Sequence, residues 1–339
     1  MSPKITVIDF KNRENFTKNR YFSTPLLNQI EKNLENHHQT LIFHNRRGSA
    51  PLTLCEKCGW QALCPTCFLP LTLHTDAYKL LCHTCGYETK VPQKCPSCGA
   101  LDVIHKGFGT KLLEQELKKL FKTAKIARFD ADNTKEDTLD HRYDAVKNGD
   151  YDIIIGTQTI AKGLDLPNLT TVGVVQADSG LSLPDFAAEE RTFHLLTQVL
   201  GRVGRGHLTE ANAFVQTYQP DHPAITTAIT ENYQDFADYL LKKRQKTGFP
   251  PFKYLAKLSL TYKTEQTTLK NIQKYYQLLR KNSKITVSTP VPAFHERTSR
   301  GYTWELVIKS SNRKTLLFTL NTLPKSPNLH LTIDPPSLL

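Results

Sequence analysis

Residues 55–67 read CEKCGWQALCPTC, residues 82–86 read CHTCG and residues 95–99 read CPSCG. These stretches hold all eight cysteines of the chain, as four C-x-x-C pairs. Two intervening residues let both sulfurs of a tight turn face one ion, and a tetrahedral Zn²⁺ site needs two such turns. The pattern therefore predicts two Cys₄ zinc sites, although spacing alone leaves open which pair joins which. The predicted ligands are Cys55, Cys58, Cys64, Cys67, Cys82, Cys85, Cys95 and Cys98.

Disulfides and redox-active dithiols are the alternatives to zinc. A disulfide framework needs an oxidising compartment, yet residues 1–20 are polar and basic and have no apolar core typical of a signal peptide. A redox motif would explain one pair rather than four. Glycine follows the second cysteine at Gly59, Gly86 and Gly99, where the backbone must turn tightly behind a ligand. We therefore favour structural zinc and expect a cytoplasmic protein.

Length and charge restrict the class of protein. A chain of 339 residues is long enough for two or three domains. No apolar run approaches the roughly 18–20 residues that a membrane span requires, so we expect no membrane partner. The formal net charge of +12 favours a polyanionic partner, of which nucleic acid is the commonest. A solvated basic surface is the alternative reading of that charge.

Short apolar strands alternate with amphipathic helices on both sides of the cysteines, a pattern that predicts a parallel α/β sheet. The cysteine-rich segment is then an insertion between the TLIFH strand at 40–44 and the helix at 110–121. Residues 1–20 are expected to extend or to lead into another element. The other predicted strands are 126–129, 153–155, 172–176 and 213–217, and the other predicted helices are 24–34, 134–147 and 186–199.

Beyond Pro250-Pro251 the order of elements changes. Strand, helix, strand, strand, helix and strand follow one another, which is the order of a ferredoxin-like split unit. This order predicts a separate α+β C-terminal domain. Its predicted strands are 255–262, 285–288, 304–309 and 329–333, and its predicted helices are 266–280 and 313–323.

Two further segments have the composition of ligand-binding turns. Residues 156–165 (GTQTIAKGLD) follow a buried strand, where open α/β sheets form their ligand crevice. Residues 198–206 (QVLGRVGRG) place Arg202 and Arg205 between glycines. Arginine forks recognise phosphate and neutralise charge on a transferring γ-phosphoryl group. Solvated charges at a helix end are the alternative for these arginines.

Together and in this order, the motifs resemble the C-terminal half of the primosomal protein N′ family, the replication-restart DNA helicases of superfamily 2. The turn at 45–48 (NRRG) resembles the entry into that family's second RecA-like lobe, and the cysteine spacings match its zinc insertion. Residues 156–165 resemble helicase motif V and residues 198–205 resemble motif VI. Residues 250–252 (PPF) and 333–335 (IDP) resemble its C-terminal domain.

The resemblance implies a RecA-like helicase lobe 2, a double zinc insertion and a ferredoxin-like C-terminal domain. Lobe 2 would begin at 1–51 and continue at 102–247, with the insertion at 52–101 and the C-terminal domain at 248–339. The resemblance also implies a nested pairing of the cysteines. Cys55, Cys58, Cys95 and Cys98 would hold one zinc ion, and Cys64, Cys67, Cys82 and Cys85 would hold the other.

By the same resemblance, Arg202 and Arg205 would face ATP, with Arg205 the better candidate for an arginine finger. Gly163, Asp165 and Gln198 would lie near the nucleotide. The implied partners are branched or forked DNA, single-strand-binding protein and primosome proteins.

A helicase motor also needs a phosphate-cradling G-x-x-x-x-G-K-[ST] loop and an acidic Mg²⁺-binding box. Neither occurs in this sequence, so we expect no ATP hydrolysis by the chain alone. Two hypotheses follow: half of a helicase that needs ATP and Mg²⁺ on a first lobe, or a non-catalytic scaffold that binds forks and recruits primosome proteins. A zinc-ribbon protein acting on RNA is a more distant third.

Overall fold

The computed structural model describes residues 3–45, 53–75, 77–104, 108–130, 138–161, 166–203 and 211–339. The chain divides into two compact units. The first unit comprises residues 1–60, 94–182 and 189–236, and the second comprises residues 61–93, 183–188 and 237–339. The cysteine-rich segment thus contributes its two ends to the first unit and its middle to the second.

The strands of the described residues are β1 (Lys4–Asp9), β2 (Gln39–Phe43), β3 (Leu54–Cys55), β4 (Thr72–His74), β5 (Lys79–Leu81), β6 (Glu88–Lys90), β7 (Val103–Ile104), β8 (Ile126–Phe129), β9 (Ile153–Gly156), β10 (Leu169–Val174), β11 (Asn212–Thr217), β12 (Tyr254–Tyr262), β13 (Thr286–Val287), β14 (Val291–Thr298), β15 (Gly301–Ser310) and β16 (Leu329–Ile333). The helices are α1 (Thr24–Glu35), α2 (Thr110–Leu120), α3 (Leu139–Lys147), α4 (Gln158–Ala161), α5 (Ala188–Leu200), α6 (Pro223–Ile229), α7 (Tyr233–Thr247), α8 (Glu265–Arg280) and α9 (Arg313–Asn321). Short 3₁₀ helices cover Arg13–Phe16 and Ala177–Ser182.

The first unit is built on a six-stranded sheet with the order β1-β11-β10-β2-β9-β8. All of its strand pairs are parallel. The strands β2, β9 and β10 are buried along their whole length, which explains their near-continuous apolar sequences. The parallel α/β sheet predicted from the sequence is therefore confirmed.

Helix α1 packs closely on this sheet. Pro25 lies in its first turn, and Leu26, Leu27 and Ile30 are fully buried. A Cβ atom on Gly173 of β10 would lie only 2.8 Å from Leu26, so the absence of a side chain there allows the helix to approach.

Sequence reasoning missed one strand of this sheet and misplaced another. Residues 4–9 form β1, an edge strand that pairs with β11, whereas no strand was predicted within residues 1–20. Strand β10 ends at Val174 rather than at Gln176, because Gln176 has a φ of 59° and turns the chain out of the sheet. The predicted helix at 134–147 is observed from Leu139 onward, and its first residues lie outside the described part of the chain.

The second unit contains an antiparallel sheet with the order β13-β15-β12-β16, and β14 also pairs with β15. Helices α8 and α9 contribute Ile272, Leu279, Leu316 and Leu320 to its core. This strand order is the ferredoxin-like arrangement predicted from the sequence. Strand β14 was not predicted.

No helix among the described residues is long and apolar enough to cross a membrane.

Candidate metal centres

The four C-x-x-C pairs share one backbone turn. In each, the residue that follows the second cysteine donates its amide to the carbonyl oxygen of the first cysteine, over 2.8–3.0 Å. The φ of that residue is 76° at Gly59, 55° at Phe68, 78° at Gly86 and 72° at Gly99. Glycine adopts this conformation without steric cost, whereas Phe68 does not. The turn that places both cysteines around one ion therefore requires a strained backbone at Phe68. The sequence did not reveal this strain.

The outer cluster lies in the first unit and joins the two ends of the cysteine-rich segment. Its sulfur atoms are 3.7 Å apart between Cys55 and Cys98, and 3.6 Å apart between Cys58 and Cys95. A Zn–S distance of about 2.3 Å in a tetrahedron places sulfurs roughly 3.8 Å apart, so the cluster has the dimensions of a zinc site. Strands β3 and β7 pair antiparallel at its base.

The inner cluster lies in the second unit, next to the three-stranded sheet β4-β5-β6. Its sulfurs approach to 3.5 Å between Cys64 and Cys85, and three of its cysteines are buried. In both clusters, all ligand atoms lie within 4.8 Å of one another. The nested pairing implied by the resemblance is thus confirmed, and the residues fit two zinc ions.

The inner cluster and its neighbours contact the loop between β13 and β14 and the start of β14, the strand that sequence reasoning missed. Thr289 donates its hydroxyl to the carbonyl oxygen of Cys85 over 2.8 Å. The Nδ1 atom of His83 lies 2.8 Å from the carbonyl oxygen of Pro292, so Nδ1 must be the donor. Burial lowers the pKa of His83 to about 4, which leaves its Nε2 as an acceptor for His74 Nε2 at 3.1 Å. Both histidines are therefore occupied outside the sulfur cluster.

A half-buried lysine lies near the inner cluster within the second unit. Lys309 donates its Nζ to the carbonyl oxygen of Thr247 over 2.9 Å, and the same atom lies 3.6 Å from the centre of the Phe249 ring. Burial lowers the pKa of Lys309 to about 8, and the charge of neighbouring thiolates, chiefly Cys67, acts in the opposite direction. A zinc ion with four thiolates is net negative, so this cation balances its charge.

The structure brings together the turns after β2 and β9. Gln158 donates its amide to Asn45 Oδ1 over 3.0 Å, and Ser179 donates to the Asn45 carbonyl oxygen over 3.0 Å. These contacts join the start of the motif at 156–165 to the first residue of the NRRG turn. The remainder of that turn, together with Gly163 and Asp165, lies outside the described residues.

The second predicted motif lies at the end of α5. Gln198 is exposed on the last turn of that helix, and the Arg202 amide donates to the carbonyl oxygen of Val199 over 3.1 Å. Arg202 is half-buried and follows the helix directly. Arg205 lies outside the described residues.

Sequence reasoning missed two buried carboxylates. Asp178 accepts hydrogen bonds from Thr217 Oγ1 and from the amide of Tyr218, and its complete burial raises its pKa. Asp185, in the second unit, accepts from Ser337 Oγ over 2.7 Å and from the amide of Leu338 over 3.2 Å. An acidic residue just beyond a buried apolar strand was the available signal for Asp178.

A parallel lobe with motif turns at its carboxyl edge, an inserted double Cys₄ module and a ferredoxin-like domain define a helicase-type lobe with zinc centres. Family models agree with this class. Residues 103–207 match the helicase conserved C-terminal domain, residues 64–90 the PriA DNA helicase Cys-rich region, and residues 245–336 the primosomal protein N C-terminal domain. Over nearly its whole length, the chain is similar to part of the PriA replication restart proteins.

Two curated relatives show how much of the family the chain spans. It is 36% identical to replication restart protein PriA of Haemophilus influenzae over 97% of this chain and 46% of that protein. It is 34% identical to the Bacillus subtilis protein over 91% of this chain and 38% of that protein. The chain therefore spans less than half the length of either relative.

Among solved structures, the C-terminal domain of the DEAD-box protein Dbp5 is 13% identical, with a TM-score of 0.34. That match covers 69% of this chain and 87% of the Dbp5 domain. The score is too low to support any argument.

We expect elemental analysis of the purified protein to find two zinc ions per chain, one for each cluster. Cys95→Ser should remove the ion of the outer cluster and Cys64→Ser the ion of the inner cluster, since each leaves three thiolates in its site. Ser97→Ala is the matched control, because its side chain is no ligand, and should retain both ions. One ion or none in the unsubstituted protein would contradict the assignment.

Gly86→Ala should destabilise the protein more than Gly99→Ala. Both substitutions force alanine into a positive φ, which costs about 1–2 kcal/mol. Only at Gly86 would the new Cβ meet Thr289 Oγ1 at 2.1 Å, whereas nothing lies within 4 Å at Gly99. We expect an additional loss of about 1–3 kcal/mol in the free energy of unfolding for Gly86→Ala. Urea unfolding of both variants measures the difference.

Thr289→Ala in the Gly86→Ala background provides the check on this explanation. Removal of the Thr289 hydroxyl should restore part of the additional loss. Equal losses for Gly86→Ala and Gly99→Ala would show that the contact with Thr289 does not determine the cost.

Proposed function

We propose that the chain supplies the second motor lobe and the C-terminal domain of a DNA helicase that acts in replication restart. The observation that carries this proposal is the nested pair of Cys₄ clusters inserted between β2 and α2. The module itself matches the PriA Cys-rich region, and the helicase and primosomal matches follow it along the chain. The curated relatives are named replication restart proteins, which supports the same function for this chain.

Within this proposal, the sequence-defined domains have separate tasks. Residues 1–51 and 102–247 form lobe 2, residues 52–101 form the zinc-binding insertion and residues 248–339 form the C-terminal domain. The zinc insertion and the C-terminal domain contact forked DNA, single-strand-binding protein and primosome proteins in the cytoplasm. The net charge of +12 favours the DNA part of this assignment.

ATP and Mg²⁺ are held by a first lobe that carries the phosphate loop. Arg202 and Arg205 approach the γ-phosphoryl group from this chain, and Arg205 acts as the arginine finger. Gly163, Asp165 and Gln198 lie near the nucleotide. The position of Arg202 directly after α5 supports this arrangement, because Arg205 follows Arg202 by only three residues in the sequence.

The second candidate is a non-catalytic scaffold that binds forks and recruits primosome proteins. The observation that favours it is the lack of a G-x-x-x-x-G-K-[ST] loop in the printed sequence. Both candidates require DNA binding, and they differ in whether the arginines affect ATP turnover.

Mixing the chain with a first-lobe protein, forked DNA and ATP should stimulate phosphate release. Arg205→Ala should reduce the stimulated rate by about 10³-fold or more, the effect typical of a lost arginine finger. Arg300→Ala, an exposed arginine in the turn between β14 and β15, is the control and should leave the rate unchanged. Stimulation that survives Arg205→Ala would exclude this residue as the finger, and the absence of stimulation would favour the scaffold.

Fluorescence anisotropy should show tighter binding to forked DNA than to linear duplex of the same length. The preference should fall after zinc is chelated, because the insertion loses the fold that shapes its surface. Binding should also weaken steeply with salt, as phosphate contacts require. Equal, weak binding to both DNAs, unchanged by chelation, would contradict a structure-specific role for the zinc module.

A further inference from the structure

A cavity of about 620 Å³ opens at the carboxyl edge of the parallel sheet, and all of its lining residues belong to the first unit. Phe10 lies directly after β1, Gln176 lies two residues after β10, and Tyr218 lies directly after β11. The carboxyl ends of three adjacent strands therefore contribute residues to the same cavity. The volume lies within the roughly 300–1,000 Å³ typical of small-ligand pockets. Of the predicted ATP contacts, Gln198 and Arg202 belong to the described residues, and neither of them lines this cavity.

Aromatic rings form two walls of the cavity. Phe10 and Tyr218 are buried and stacked, with ring centres 4.9 Å apart and planes inclined by 18°. Tyr21 and Phe108 are half-buried and meet edge to face at 5.0 Å. Tyr218 donates its hydroxyl to Glu56 over 3.2 Å, which holds the ring in place. His44 already stacks on Phe108, with ring centres 5.2 Å apart and planes inclined by 16°, so the half-buried ring of Tyr21 is the surface left for a further ring.

A buried polar atom faces the same space. Gln176 is only 3% exposed, yet its Oε1 has no hydrogen-bond partner among the described residues. The backbone of Gln176 has a φ of 59°, a conformation that is unfavourable for a residue with a side chain of this size. A buried acceptor left without a donor destabilises the fold, so a ligand that supplies an N–H group would gain from bonding to it.

A cation stands at the rim of the cavity. The guanidinium of Arg20 is exposed, lies 5.2 Å from the centre of the Tyr21 ring and forms no ion pair with the described residues. The other lining arginine, Arg13, is paired with Glu56 at 3.3 Å. Arg20 is therefore the group available for an anion beside the aromatic wall.

We infer that this cavity binds one unstacked base of single-stranded DNA. The base stacks on Tyr21, its amino group donates to Gln176 Oε1, and the adjoining phosphate pairs with Arg20. Stacking on aromatic side chains with a cation on the backbone is the usual chemistry of single-strand binding. This inference rests on the proposed function, because it assumes that the chain binds DNA.

The choice of a nucleotide over an apolar peptide side chain follows from the polar groups. An aliphatic or phenyl side chain would leave Gln176 Oε1 without a donor and Arg20 without an anion. A nucleotide with an exocyclic amine supplies a planar ring, an N–H donor and a phosphate in one molecule.

The test uses the full, zinc-loaded chain and a short dT oligonucleotide with one 2-aminopurine. Stacking in the cavity should quench the 2-aminopurine fluorescence, and anisotropy of an end-labelled copy gives the affinity. Tyr21→Ala should abolish the quench and weaken binding about 5- to 100-fold, the range for loss of one stacked base. Tyr21→Phe keeps the ring and should retain both signals.

The control variants separate the cavity from general effects. Tyr233→Ala removes an exposed aromatic ring of the first unit that does not line the cavity, and should leave the quench and the affinity unchanged. Arg20→Gln changes an exposed side chain, so the fold is preserved, and should lower the slope of log affinity against log salt by about one. Circular dichroism confirms that each variant is folded.

Two outcomes would overturn the inference. If the unsubstituted chain binds the oligonucleotide but Tyr21→Ala and Arg20→Gln behave like Tyr233→Ala, the cavity is not the base site, although DNA binding stands. If the unsubstituted chain binds neither this oligonucleotide nor forked DNA, the inference and the proposed function both fail.

Discussion

Eight thiolates gathered around two metal ions are the constraint on which the rest of this structure depends. Four sulfurs within 4.8 Å of one another form a stable group only when a cation binds them, since the thiolates otherwise repel. Structural zinc contributes about 10–16 kcal/mol of apparent binding free energy in small modules. Because the outer cluster joins Cys55 to Cys98, the chain leaves β2 and returns for α2 through a short neck at β3 and β7. The parallel sheet can then continue past the insertion.

The topology of that sheet assembles the functional edge from residues far apart in the chain. In a parallel sheet all carboxyl ends meet at one edge, so Asn45, Gln158, Gln176 and Tyr218 converge although their strands are separated in sequence. The contacts observed there have two kinds of chemistry. Asn45 and Gln158 form a polar turn that joins two helicase motifs, while Gln176 and Tyr218 line an aromatic cavity. One sheet edge thus carries two groups of residues with different chemistry.

The sequence revealed most where chemistry permits few alternatives. C-x-x-C spacing identified every metal ligand, and Ile153–Ile155 identified a buried strand because three consecutive β-branched residues suit a sheet covered on both faces. The pairing of the cysteines was open, because it depends on how the chain folds back rather than on local spacing, and only the resemblance supplied it.

The missed elements share a physical cause. Strands β1 and β14 are partly exposed, and their mixed polar and apolar residues give no continuous apolar run. The cavity could not be predicted from the sequence either, because Tyr21, Gln176 and Tyr218 are distant in sequence and become neighbours only through the order of the strands. Likewise, the contact of Gly86 with Thr289 joins residues that are widely separated along the chain.

The composition of the zinc sites determines what they can contribute to function. Each ion has four thiolate ligands, which completes a tetrahedron and leaves no position for water or substrate. Such an ion cannot activate a nucleophile. It contributes by fixing the shape of the chain around it. Each cluster stabilises a different unit: the outer one closes the neck of the lobe, and the inner one holds a three-stranded sheet beside β14. The groups suited to phosphate and base chemistry are therefore the arginines and aromatic residues of the lobe, which depend on zinc only through the fold.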